Sequence, residues 1–199
     1  TEKGSTVEGA WYYTPSTQQN GYFIPVRNEE GYIIRMRVRR DTGNPKYIWF
    51  SSQHNIDNET NMVRMRRNGV SSGGPLNLAV PFQLLQNWPM GENIANICRM
   101  DTLIATEGEF KSWISANVFN VPVVGLPGAG NFKDLLPLLS KWGVKKLIIA
   151  YDMDTLQRED DSLKSQQKQA NLFGLVKNFA LEAMKAGVTT YLWTWGLSD

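Results

Sequence analysis

The sequence predicts an α/β fold in which a doubly wound parallel sheet of about four strands follows a smaller, basic and mainly antiparallel β lobe. From Thr102 onward, short apolar segments alternate with segments whose apolar residues recur at helical spacing. Upstream of that point, short alternating segments are separated by turns rich in glycine, asparagine and proline. We therefore expect two parts, a β lobe at 1–100 and an α/β domain at 101–199.

Composition limits the classes of protein to which this chain of 199 residues can belong. With 42% hydrophobic and 20% charged residues, it has the composition of an ordinary globular protein. No apolar run is long enough for a transmembrane helix, so we expect no membrane partner and no signal peptide. A single cysteine and a single histidine argue against a structural zinc site, and a reducing, cytoplasmic setting is expected.

The first lobe is predicted to be a small antiparallel sheet. Residues 22–26 and 32–39 have the composition of strands, and a turn of hairpin length that ends in Gly31 joins them. Further strands are expected at 46–50 and 62–66. The less regular stretch that follows is predicted to be a connector with at most one short helix, because its prolines limit helix length.

Basic side chains are concentrated in this lobe and share one face of its second strand. Residues two apart along a strand project on the same side, so Arg35, Arg37 and Arg39 form a row. Between residues 27 and 67, nine basic residues stand against five acidic ones. Because arginine binds phosphate bidentately, we favour phosphate contact over the alternative, a half-buried sheet whose solvated side is rich in arginine.

The second part is predicted to consist of strands and helices in alternation. Its expected strands are 102–106, 121–124, 144–151 and 188–193. Its expected helices are 107–117, 131–142 and a long helix that ends at 186. Thr106 and Glu109 fit a capping box, Asn131 is the expected cap of the second helix, and Gly143 and Gly187 are stop signals.

Two of these predicted strands end in acidic residues. Glu107-Gly108 follows the first strand, and Asp152 and Asp154 follow the third. In open parallel sheets, ligands bind outside the carboxyl ends of the strands. Carboxylate oxygens are the ligands that Mg²⁺ prefers. The pattern therefore predicts a metal site at this edge, and the alternative is an acidic loop that caps the next helix.

Glu-Gly after the first strand and Asp-x-Asp after the third resemble the Toprim signature of DnaG-type primases, topoisomerases and some nucleases. The resemblance covers about residues 102–193. It implies that Glu107 is a catalytic acid or base that can also ligate metal, and that Asp152 and Asp154 are catalytic ligands of Mg²⁺ (or Mn²⁺). It also implies that Gly108 permits a close approach of the backbone.

The first lobe narrows the resemblance to primases. Phe23-Ile24-Pro25-Val26-Arg27, the turn at Gly31 and Pro45-Lys46-Tyr47 are similar to the segment that precedes Toprim in DnaG-type primases. The whole also resembles a primase-like Toprim family of phage and mobile-element replication proteins. The likeness implies a single-stranded DNA template and NTPs as partners, bound by the basic residues Arg27, Arg35, Arg37, Arg39, Lys46 and Lys111. Helicases and zinc-binding domains commonly adjoin such cores, so the resemblance also implies them as partners within a full-length protein.

The resemblance implies a metal-dependent DNA primase-like nucleotidyltransferase that synthesises primers on single-stranded DNA from NTPs. Two departures leave alternatives open. Lys111 stands where DnaG-type primases usually have an aspartate, and the further acidic cluster of that family has only residues 159–161 as candidates. The alternatives are a Toprim-type metal-dependent nuclease and a catalytically decayed nucleic-acid-binding module.

The glycines after the second predicted strand have two interpretations. Gly128 and Gly130 are predicted to form a tight turn between a strand and a helix. A phosphate cradle at the start of that helix is the alternative. A P-loop is excluded, because no Gly-Lys-Ser/Thr follows.

Overall fold

A computed structural model of the chain describes residues 20–50, 54–56, 63–65, 73–152 and 162–194. Asp154 and the acidic cluster at 159–161 lie outside the described residues.

Three strands form an antiparallel sheet in the order β1-β2-β3. They are β1 Gly21–Arg27, β2 Ile33–Arg40 and β3 Tyr47–Trp49. Gly31 has a φ of +81°, which favours glycine in the hairpin turn between β1 and β2. The small antiparallel sheet and the turn at Gly31 are therefore confirmed.

The row of arginines on β2 is confirmed, and its middle member, Arg37, faces the rest of the protein. Ile24 lies opposite Arg37 in the ladder, and Val26 lies opposite Arg35, so these side chains share a face. Ile24 and Val26 are buried, and the Trp113 indole nitrogen of the neighbouring helix donates to the Pro25 carbonyl. The part of this face around Arg37 is thus turned towards the α/β part of the molecule.

The strand predicted at 62–66 belongs to a different sheet from the one expected. β4 His54–Ile56 and β5 Val63–Met65 pair with each other as a two-stranded antiparallel sheet. The sequence does not predict β4, because its three residues, two polar and one apolar, are too few to show a clear alternation.

A five-stranded sheet with the order β10-β9-β7-β8-β6 forms the centre of the α/β part. Its strands are β6 Asn77–Ala79, β7 Thr102–Glu107, β8 Val123–Leu126, β9 Lys146–Ala150 and β10 Thr189–Leu192. β7, β8, β9 and β10 are parallel, as predicted. β6 is antiparallel to β8 and lies in the stretch predicted to be a connector. This edge strand precedes the boundary at residue 100, and the division into two domains stays a prediction.

Helices cover both faces of this sheet, which confirms the doubly wound α/β class. The helical segments are α1 Phe82–Asn87, α2 Ile94–Ile97, α3 Glu109–Phe119, the 3-10 turn Lys133–Leu135, α4 Leu136–Lys141 and α5 Leu163–Lys185. Leu103 on β7 packs in the same buried cluster as Leu172 and Phe179 of α5. Its neighbour Ile104 points to the other face and packs in a cluster with Ala116 of α3.

Two predicted helix starts are wrong, and both predicted stops are confirmed. The cap of α3 is Gly108, which has no side chain to form a capping hydrogen bond, and Glu109 is the first residue of the helix and accepts from Arg37 instead. Asn131 caps no helix: a 3-10 turn comes first, and Phe132 precedes it. Gly143 and Gly187 end their helices with φ values of +67° and +82°.

None of the helices in the described ranges combines the length and the apolar character needed to cross a lipid bilayer.

Candidate active site at the carboxyl edge of the parallel sheet

The two acidic strand ends predicted from the sequence meet at one cleft. Thr106 and Ala150 are partners in the ladder between β7 and β9, so the chains leave the sheet side by side after them. Glu107 is the last residue of β7, and Asp152 follows β9 by two positions. Both line a cleft of about 250 Å³, together with Arg37, Tyr47 and Lys111.

Lys111 stands inside this cleft and pairs with one of its carboxylates. It lies in the first turn of α3, and its ammonium forms an ion pair with Asp152 Oδ2. The side chains of Lys111 and Asp152 are 46% and 30% exposed, so water reaches the pair. The predicted metal ligand is therefore engaged by a cation of the protein itself.

Arg37 is held by a buried carboxylate on the wall of the cleft. Its Nη1 donates to both carboxylate oxygens of Glu109, at 2.8 Å and 3.1 Å. Glu109 is almost fully buried, with 2% of its surface exposed. The guanidinium carbon also lies 4.9 Å from the ring centre of Trp49 and 5.6 Å from that of Tyr47. This arrangement ties β2 and β3 to the start of α3. The sequence predicts Glu109 only as part of a capping box, and it predicts neither its contact with Arg37 nor the aromatic contacts.

The other basic residues predicted to bind nucleic acid lie outside the lining of this cleft. Arg27 donates to the Gly31 carbonyl at 2.7 Å, and burial lowers its pKa. Arg35 donates to the Ile34 carbonyl at 2.6 Å. Arg39 lies over the rings of Tyr22 and Tyr47, and Lys46 is exposed beside them. Their roles at a nucleic acid stay predictions.

Arg39 and its two tyrosines form an exposed cationic and aromatic surface at the rim. The guanidinium carbon lies 5.8 Å from each ring centre, and a hydrogen bond with Tyr47 raises the pKa of Arg39. Tyr22 and Tyr47 are 40% and 36% exposed. Flat rings beside a fixed positive charge can accept unpaired bases and their phosphates.

Tyr151 connects the acidic edge to the glycine turn. Its side chain is fully buried, and its hydroxyl donates to the Ala129 carbonyl at 2.9 Å. Burial, and secondarily the charge of Glu107, raise the pKa of Tyr151, so the phenol stays neutral and keeps its hydrogen bond. The sequence shows Tyr151 only as the end of an apolar strand, and no local signal reveals this contact.

The predicted turn at Gly128 and Gly130 is confirmed, and the phosphate cradle is not supported. The Asn131 amide donates to the Gly128 carbonyl at 2.9 Å, which closes the turn. The segment that follows is a 3-10 turn, and α4 begins only at Leu136 and has six residues. No α-helix therefore starts at the glycines to present its amides to a phosphate.

Gly108 has a different role from the close approach that the family resemblance implies. Its φ of +87° requires glycine, whereas a Cβ atom there would meet nothing within 4 Å. The close approach occurs at Gly125, where a Cβ atom would lie 2.6 Å from Ser112 Oγ and 2.7 Å from the Gly108 carbonyl oxygen. β8 and the start of α3 thus touch directly behind Glu107.

We expect Gly125→Ala to destabilise the protein by about 1–3 kcal/mol, because the added methyl group must displace Ser112 and the Gly108 backbone. The matched control is Gly174→Ala within α5, where a Cβ atom meets nothing within 4 Å. That change should stabilise the helix by up to about 1 kcal/mol. Urea unfolding of both variants measures the difference, and equal midpoints would contradict the packing at Gly125.

The residues of the cleft suit a hard divalent cation. Glu107 and Asp152 supply carboxylate oxygens, and Mg²⁺ is commonly bound through one or two carboxylates plus substrate phosphates. Within the described residues, no group of three or more acidic, histidine or cysteine side chains is close enough to hold a metal alone. The third predicted ligand, Asp154, lies outside those residues.

The fold is that of primase catalytic cores of known structure. No protein-family model matches the sequence, and no curated protein matches it either. The chain is similar to the Aquifex aeolicus primase, comprising its zinc-binding and RNA polymerase domains, with 21% identity and a TM-score of 0.52 over 98% of this chain and 38% of that one. It is also similar to a DnaG primase catalytic domain bound to single-stranded DNA, with 16% identity and a TM-score of 0.53 over 90% of this chain and 46% of that one.

This chain thus spans less than half the length of both primase structures. At this level of identity the likeness concerns the fold, and it extends over the three-stranded sheet as well as the five-stranded one. The chain therefore has the fold of the DnaG-type primase catalytic core.

Proposed function

We propose that this chain is the core of a metal-dependent DNA primase-like nucleotidyltransferase, which synthesises primers on single-stranded DNA from NTPs. One observation carries the proposal. Glu107 and Asp152 come at the ends of two adjacent parallel strands and line one cleft. Arg37 and the exposed ring of Tyr47, both from the antiparallel sheet, line the same cleft. The similar DnaG domain that binds single-stranded DNA supports this choice of substrate.

In the proposed reaction, a 3′-hydroxyl oxygen attacks the α-phosphorus of an NTP, a new phosphodiester bond forms and pyrophosphate leaves. Glu107 would accept the hydroxyl proton or ligate a cation, and Asp152 would be a ligand, since both side chains line the cleft. A divalent cation bound by these carboxylates would neutralise the negative charge of the triphosphate. The rim of Tyr22, Arg39 and Tyr47 would hold the template by stacking and phosphate contact.

The test is a primer-synthesis assay with single-stranded DNA, labelled NTPs and Mg²⁺ or Mn²⁺. We expect short labelled oligomers from the wild-type protein and none from Asp152→Asn, because this variant loses a metal ligand. Asp134→Asn, an exposed aspartate outside the cleft, is the matched control and should remain active. Oligomers made equally well by Asp152→Asn would contradict the proposed site, and shortened template would indicate the nuclease instead.

A second candidate function has one observation in its favour. The ion pair between Lys111 and Asp152 neutralises a carboxylate that the catalytic site needs, as expected of a nucleic-acid-binding module whose acidic site has decayed. Such a module would bind single-stranded DNA with an affinity that falls steeply as the salt concentration rises. It would make no labelled oligomers with either Mg²⁺ or Mn²⁺. Membership of the phage and mobile-element family stays a prediction.

A further inference from the structure

We propose that Lys111 is a built-in counter-ion of the acidic site, which holds Asp152 in the free protein and competes with divalent cations for it. Lys111 would then set how tightly the site binds metal, and it would be released into the cleft when metal arrives. This inference rests on the proposed function, because it assumes that Asp152 is a metal ligand.

The local backbone places Lys111 at Asp152. The chain leaves β7 at Glu107, turns at Gly108 with a φ of +87°, and enters α3 at the next residue. Lys111 therefore lies within the first helical turn, four positions after Glu107 at the acidic strand end. Asp152 leaves the neighbouring strand, so an ammonium group on α3 reaches its carboxylate across the mouth of the cleft.

The aliphatic part of Lys111 has an apolar surface to lie on. Lys111 also lines an adjoining cavity of about 360 Å³, whose other walls include Ile114, Phe119 and Trp193. Long basic side chains commonly lay their methylene groups on such surfaces and keep the charge at the polar end. Asp152 lines the same cavity, so the ion pair stands at the boundary between the apolar cavity and the acidic cleft.

The other cation of the cleft wall is already committed. Arg37 donates to both carboxylate oxygens of the buried Glu109, and tryptophan and tyrosine rings flank its guanidinium. Lys111 is thus the cleft-lining cation that the structure pairs with Asp152. Removing its charge should leave the carboxylate exposed to solvent ions.

The pair is open enough to exchange. Its side chains are 46% and 30% exposed, and ion pairs with this access to water are weak and reversible. A doubly charged ion with oxygen ligands can displace a single ammonium from such a carboxylate. The released Lys111 would remain in the cleft beside Glu107, where it can contact a substrate phosphate.

The experiment is a titration of the free protein with Mn²⁺, without nucleotide or DNA. Electron paramagnetic resonance measures how much Mn²⁺ is bound at each step. We expect Lys111→Met to bind Mn²⁺ roughly tenfold more tightly than the wild type, which corresponds to about 1.4 kcal/mol. Lys111→Arg keeps the charge and should match the wild type. Lys185→Met removes an exposed lysine that pairs with Glu182 on α5, and it controls for net charge.

Each outcome of the titration decides the inference. Equal or weaker Mn²⁺ binding by Lys111→Met, together with loss of binding in Asp152→Asn, would overturn the role of Lys111 and leave the metal site standing. Binding that is absent from every variant, or unchanged in Asp152→Asn, would overturn both the inference and the proposed metal site. Lys111→Gln is a second neutral variant, to be used if Lys111→Met does not fold. Thermal melts without metal test whether each variant is folded.

Discussion

Replacing Glu107 by glutamine is expected to lower the rate of primer synthesis roughly 10²–10⁴-fold, the range typical of a lost general acid or base. Glutamine has nearly the same shape as glutamate but can neither accept the proton nor offer an anionic ligand. Glu107 is partly exposed at the end of β7, so the fold should tolerate the change. The measurement is single-turnover formation of the first phosphodiester bond with saturating NTP and Mg²⁺.

The control for this variant is Glu182→Gln. Glu182 is a half-exposed glutamate on α5, and its carboxylate pairs with Lys185 of the same helix at 2.6 Å. Its replacement should leave the rate within about twofold of the wild type, because surface changes of this kind have small effects. Full activity of Glu107→Gln would refute the role of this carboxylate while leaving the fold as described.

Metal affinity separates the two roles open to Glu107. If the carboxylate is a ligand, Glu107→Gln should weaken Mn²⁺ binding in step with the loss of rate. If it moves a proton, Mn²⁺ binding should be retained, and the pH dependence of the rate should lose its acidic limb. The Mn²⁺ affinity is measured before any substrate is added, so it distinguishes the two roles independently of activity.

Replacing Glu109 by glutamine is expected to lower the free energy of unfolding by about 3–5 kcal/mol, the cost of leaving a buried charge without its partner. Arg37 and Glu109 are the two members of that pair, with side-chain exposures of 19% and 3%. Arg37 Nε is buried and has no hydrogen-bond partner among the described residues, so the carboxylate is the main compensation for the guanidinium charge. Equilibrium unfolding in urea gives the difference directly.

The matched variant for this pair is the double replacement Arg37→Met/Glu109→Leu. It removes both charges and keeps apolar volume between β2 and α3, so it should recover most of the stability that either single change loses. A loss below about 1 kcal/mol in Glu109→Gln would show that water already screens the pair, contrary to its burial.

The same contact has a consequence for the site. It joins the three-stranded sheet to the start of α3, which carries Lys111 and follows Glu107 directly. Glu109→Gln should therefore also loosen the wall of the cleft, and any loss of activity should parallel the loss of stability. Arg37 thus contacts the cleft wall through Glu109, and its contact with a phosphate stays a prediction.

Local patterns were sufficient for most of the architecture. The alternation of apolar strands and helices from Thr102 predicts the four parallel strands, because periods of two and 3.6 residues are properties of neighbouring positions. Gly143 and Gly187 mark helix ends correctly, since a positive φ is a local requirement. β6 carries no such signal, because three residues cannot show a period and its pairing with β8 is remote in sequence.

The meeting of Glu107 and Asp152 follows from local sequence patterns, because both residues come at the ends of parallel strands and such ends share one edge of a sheet. The same is true of the shared face of the arginines on β2. The contacts of those side chains, in contrast, depend on how distant elements pack. Arg37 and Glu109 are 72 positions apart in the chain. Lys111 lies on α3 and Asp152 follows β9, so their ion pair also joins separate elements. Such contacts depend on how separate elements pack, and no pattern within a single strand or helix encodes that packing.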